Sequence, residues 1–172
     1  MSLRDTILKE HSKANCLKIV GWIGSDQKKF NELFRLFLSD ENSSVIQRAS
    51  WPLSYAVEAH PAFIRPHFSK LLKNLKKPGL HDAAKRNTLR MLQDLDIPER
   101  FRGDLMNTCF EYIESVSEKP AIKAFSLTIL YNLSLQYQDI RPELKTIIED
   151  RWEYETAAFR SRARKILKAI AS

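Results

Sequence analysis

Glycine is scarce in this chain: 172 residues contain four, Gly21, Gly24, Gly79 and Gly103. So few leave little room for positive-φ turns or for backbone drawn close to a phosphate, which disfavours nucleotide-cradling loops and sheet-rich folds. Cysteine is scarcer still. Cys16 and Cys109 lie far apart without CxxC spacing, so neither a disulfide framework nor a zinc site is indicated, and both read as reduced core thiols. No apolar run approaches the roughly 18 residues of a membrane-spanning helix. The first eleven residues mix Arg4, Asp5, Lys9 and Glu10 among apolar ones. The expectation is a soluble cytoplasmic chain with no membrane partner. Also missing are a phosphate-binding loop, a dinucleotide glycine pattern, a nucleophile-elbow serine and paired metal-ligand histidines. His11, His60, His67 and His81 are scattered. No catalytic residue, metal ligand or cofactor is assigned on this basis.

What is present is an ordinary globular share of apolar residues, 44%, with 28% charged residues and a formal net charge of +7. That length and composition suit one domain spanning residues 1–172. The positive balance points towards an acidic protein, nucleic acid or an anionic surface.

A repeat organises the apolar residues. Ile64-Arg65-Pro66, Phe101-Arg102-Gly103 and Ile140-Arg141-Pro142 share one pattern, with their arginines 37 and then 39 positions apart. Asp26, Gln27, Lys28 and Phe30 form a degenerate earlier copy. A second helix type starts near Thr6, Ser44, Asp82, Lys119 and Thr156, at intervals of 37 or 38. Aligned on those starts, one column reads Leu8, Ile46, Ala84, Ile122, Phe159, and the next Lys9, Gln47, Lys85, Lys123, Arg160. Three residues further stand Ser12, Ser50, Thr88, Ser126 and Ala163, small enough for neighbouring helices to approach to about 8 to 10 Å. A period near 38 identifies stacked helical hairpins. The expected order is an N-terminal helix over 6–24, then hairpins 26–39 with 44–60, 61–76 with 82–95, 98–115 with 119–136, and 140–152 with 156–171. Pro52 falls inside one of these helices, where its missing N–H predicts a kink.

The columns resemble the HEAT-repeat family, whose second helix carries an apolar residue, a cation, a small residue three on and leucine four later. Phe159-Arg160, Ala163 and Leu167 fit, as do Ile122-Lys123, Ser126 and Leu130; Ile46-Gln47 departs by losing the cation. The resemblance implies an all-α fold, an α-α superhelix of about four hairpins plus the N-terminal helix, with the second helices lining a concave face. It also implies a binding or scaffold role and leaves the partner open.

On the five second-helix segments fourteen cations face four anions, so this layer carries +10 and the remainder of the chain is mildly acidic. The candidate groove comprises Lys9, Arg48, Trp51, Tyr55, Lys85, Arg86, Lys123, Tyr131, Arg160 and Arg164. Trp51 and Tyr55, four apart, share a helix face. A non-enzymatic module binding an acidic protein or peptide is the first expectation, with aromatic and arginine side chains as anchors. Sequence-independent nucleic-acid binding is the alternative, since the same cations can track phosphates and the rings can stack bases. A weaker architectural resemblance, to HEAT-like alkylpurine DNA glycosylases, would single out Asp94 or Glu58 beside Trp51 and Tyr55. An inter-repeat ladder of cations and packed rings is the competing structural account of the same columns.

Overall fold

The computed structural model describes residues 1–172 and consists of ten α-helices and three short 3₁₀ segments, with no strand. Its contacts divide the chain into two units, residues 1–94 and 95–172.

In the first unit α1 (Leu3–Lys9) and α2 (Lys13–Ile23) stand where one helix over 6–24 was expected. Side-chain oxygens divide them. The Ser12 hydroxyl accepts the Asn15 N–H and caps α2, while Glu10, at the end of α1, is extended. Ser2 and Asp5 form a reciprocal capping box on α1, pairing N–H groups that a helix start leaves open. Then come α3 (Gln27–Ser39) and α4 (Ser43–Ala59), capped by Asp26 and Asn42. α4 runs unbroken through Pro52.

The segment expected as one helix over 61–76 is a 3₁₀ stretch, Pro61–His67, followed by α5 (Phe68–Leu75). Pro61 and Pro66 remove two donors within six residues, which limits regular α-helix there. Gly79, at φ 74°, then turns the chain towards α6 (Asp82–Leu92). α4 is the hub of this unit, packing against α1, α2, α3 and α6. Its buried stripe is Val45, Ala49, Leu53, Ala56 and Val57. Phe30, Leu33 and Phe37 from α3 are fully buried, each worth about 1.5 to 3 kcal/mol of burial.

The second unit repeats the scheme with α7 (Glu99–Glu114) against α8 (Pro120–Ser134), then α9 (Arg141–Arg151) and α10 (Ala157–Ile170). Single 3₁₀ turns, Gln138–Ile140 and Trp152–Tyr154, flank α9. α8 packs on both α7 and α10, burying Ile122, Leu127 and Leu130, and α10 contributes Phe159, Ala163 and Ile166. Cys16 and Cys109 are buried free thiols. No helix is long and apolar enough to cross a membrane.

Candidate binding surfaces

In the first unit, Trp51 and Tyr55 project from successive turns of α4 and are half-buried, with ring centres 6.4 Å apart. Two neighbours that the sequence reading left out complete the group. The His11 ring meets Trp51 edge-on at 5.6 Å, and the Arg90 guanidinium from α6 lies over Tyr55 at 5.0 Å. Hydrogen bonding from Trp51, and then from Arg90, holds the Tyr55 phenol below its usual range, and the positive charges of Arg90 and Lys13 act in the same sense. The same two cations oppose the effect of burial on Cys16, whose thiol is nevertheless pushed up to about 11. The α1–α2 link with α2, α4 and α6 thus assembles a patch of two cations, a histidine and two larger rings.

The remaining candidates of this unit divide. Arg48 is half-buried, and its Nη1 donates to the Leu8 carbonyl at 2.9 Å, tying α4 to α1. Lys9 and Arg86 are exposed and Lys85 is half-buried. Glu58 and Asp94 are exposed carboxylates.

In the second unit one expectation is overturned. Lys123 does not line a groove: it is 2% exposed, and its Nζ donates to Glu155 Oε1 at 2.5 Å. Arg151 Nε and Nη2 donate to the same oxygen at 3.0 and 2.8 Å. A buried ammonium demands a counter-charge, and Glu155, just ahead of the α10 cap Thr156, supplies it. Tyr131 and Arg160 are half-buried. The exposed Arg164 lies over the Trp152 ring at 5.3 Å. Arg162, absent from the candidates, lies over Phe125 at 5.5 Å while its Nη1 donates to the Ala124 carbonyl at 2.9 Å.

Arg90 and Arg162, counted among the cations of the second-helix layer, were not picked as groove residues because each pairs with a ring 35 to 37 residues away in sequence, on the preceding second helix. Reading the repeat columns across neighbouring helices, and not only along one, was the available signal.

A family model described as HEAT repeat domain matches residues 3–170. No curated protein and no solved structure matches the chain.

Proposed function

Since the chain belongs to the HEAT-repeat family, whose repeats generally mediate protein–protein interaction, we propose that it is a non-enzymatic binding module for an acidic protein or peptide. The arginines laid over its aromatic rings are the anchors. The supporting observation is that stacking: Arg90 on Tyr55, Arg162 on Phe125 and Arg164 on Trp152, all between 5.0 and 5.5 Å. A guanidinium held over a ring is attracted to the ring face and keeps planar N–H donors whose fork matches a carboxylate. The ring also holds the side chain in place beforehand, which lowers the ordering cost of binding. Around Tyr55, Lys13 adds charge and Trp51 adds contact area; exposed Lys9 and Arg86 extend the positive surface of the unit.

The same cations could neutralise phosphates, and nucleic acid is the second reading. An arginine already lies over Tyr55, Phe125 and Trp152, and those three ring faces favour the first reading, while Trp51 and Tyr131 remain for the second. Fluorescence anisotropy separates the two. A labelled oligoglutamate and a labelled single-stranded oligonucleotide are titrated at several salt concentrations against wild type and Arg90→Gln. The expected result is saturable peptide binding, weakened about tenfold in the variant, an amount equal to about 1.4 kcal/mol. Tighter oligonucleotide binding at every salt concentration would replace this reading with the second.

A further inference from the structure

Ile46 and Tyr55 are nine residues apart on α4, which at 3.6 residues per turn places them about 180° apart around the helix. On the Ile46 side, the end of α3, the start of α4, the end of α5 and the loop into α6 enclose a cleft of about 220 Å³. Its walls are largely apolar: Phe37, Leu38, Ile46, Pro78 and Leu80. One polar side chain breaks that lining. Asn74 is 7% exposed, and its Nδ2 has no hydrogen-bond partner. A buried amide donor without an acceptor destabilises the fold, so its retention in a cleft open to solvent points to an acceptor that arrives with a ligand.

The charge around the cleft specifies that ligand further. Lys70, Lys73, Asn74 and Lys77 follow i, i+3, i+4, i+7 spacing and so share one face of α5 and its extension. With Lys76 and Leu38 they line a shallow groove that continues from the cleft through Asn74. All four lysines are exposed; Lys77 Nζ spends one donor on the Leu38 carbonyl at 3.2 Å. Between Glu58 and Asp82 the chain contains no carboxylate. Asp40, at the end of α3, is taken by Arg4 at 2.8 Å, which with Asn42 holds its carboxyl below the usual range. The cleft is smaller than the roughly 300 to 1,000 Å³ of ordinary small-molecule sites, and it admits about one large apolar side chain.

We propose that this cleft docks a linear acidic segment of a partner protein that carries one bulky apolar residue. The apolar side chain enters between Leu38, Ile46 and Leu80, Asn74 Nδ2 donates to a peptide oxygen beside it, and flanking carboxylates face Lys70, Lys73, Lys76 and Lys77. The site is separate from the arginine–aromatic patch and stands whether or not that patch binds.

The probe is a fluorescein-labelled peptide of six glutamates with a central leucine, titrated into the full chain at low salt. Its control has glycine in place of the leucine. Wild type is expected to bind the leucine peptide at least fivefold more tightly than the control. Lys73→Glu with Lys77→Glu should weaken binding at least tenfold, and Arg90→Gln should leave the leucine preference intact. Asn74→Leu is the discriminating variant. It removes an unpaired donor, so its melting temperature should hold or rise while peptide affinity falls at least threefold. Loss of stability with unchanged affinity would make Asn74 a structural residue and overturn the proposal. Equal affinity for the two peptides, binding abolished by Arg90→Gln but not by the lysine reversals, or lysine-dependent binding to phosphatidylserine vesicles with none to the peptide would each overturn it too.

Discussion

Lys85 and Lys123 occupy the same column of consecutive repeats, 38 residues apart, yet Lys85 is half-buried in the first unit and Lys123 is almost wholly buried in the second. The column position does not decide this. What decides it for Lys123 is Glu155, which gathers Lys123 and Arg151 on a single oxygen. The lesson is that one recurring cation can be half-buried in one repeat and an internal strut in the next, so the repeat column does not fix what its charge does. In the first unit the arginine and lysine positions around Tyr55 face rings and solvent; in the second, part of the same positive charge is spent on the core.

Breaking the strut gives the largest expected effect. Glu155→Ala leaves Lys123 buried without a counter-charge and should cost about 3 to 5 kcal/mol in urea denaturation. A loss below about 1 kcal/mol would show that Lys123 escapes to solvent. Removing the other partner is expected to be milder. In Lys123→Met the alkyl stem is kept and Arg151 still pairs with Glu155, so the cost should stay near 1 kcal/mol. Arg86→Gln, at an exposed site in the first unit, should change stability by less than about 0.5 kcal/mol.

Two pH dependences sharpen the comparison further. Burial raises both thiols from an ordinary 9.0, Cys16 to about 11 and Cys109 to about 12. Both are neutral in the fold, so their stabilising contribution is complete below pH 9 and is lost as pH rises from 9 towards those values. Melting temperature should therefore fall above pH 9, and Cys16→Ala with Cys109→Ala should flatten the fall. At the acid side the first unit carries a signal at His67. Burial, and then Lys70, hold His67 below its usual 6.5, with its ring 4.5 Å from Phe34 and its Nε2 2.7 Å from Asn31 Oδ1. The unfolded chain takes up that proton first, so the contribution of His67 is present above pH 6.5 and declines as pH drops through its folded value. His67→Phe should remove a small part of the acid sensitivity of the melting temperature.

Much of the fold was legible because repeat spacing survives substitution. The columns through Ile46, Ile122 and Phe159 located the second helices within one or two residues, since an inward apolar position three or four residues after the cap leaves a readable pattern. The N-terminal break was missed because Ser12 sits in a small-residue column and reads there as a packing position, although its hydroxyl acts as a cap. The site was less legible. Trp51 with Tyr55 was found from helix spacing, but Arg90 over Tyr55 depends on how α6 lies against α4, which spacing along one helix does not encode. Lys123 was misassigned because burial of a lysine depends on its partner. A sign pattern runs through the sequence, since Glu41, Glu118 and Glu155 stand one residue before the caps Asn42, Lys119 and Thr156 and Leu80 stands there where the column holds Gln47, yet Lys9 is exposed and Lys85 half-buried, so the pattern alone does not mark the buried lysine. The lysine-lined cleft was hidden for a related reason, because Lys77-Pro78-Gly79 read only as a helix stop.

The central claim is that arginines stacked on rings receive carboxylates, and side-chain NMR of the arginine Nε–H groups tests it most directly. On adding an oligoglutamate without apolar residues, the signals of Arg90, Arg162 and Arg164 should shift in a saturable way, while that of the exposed Arg65 should move little. If those three signals stay fixed with peptide and move only with an oligonucleotide, the protein-binding account is wrong.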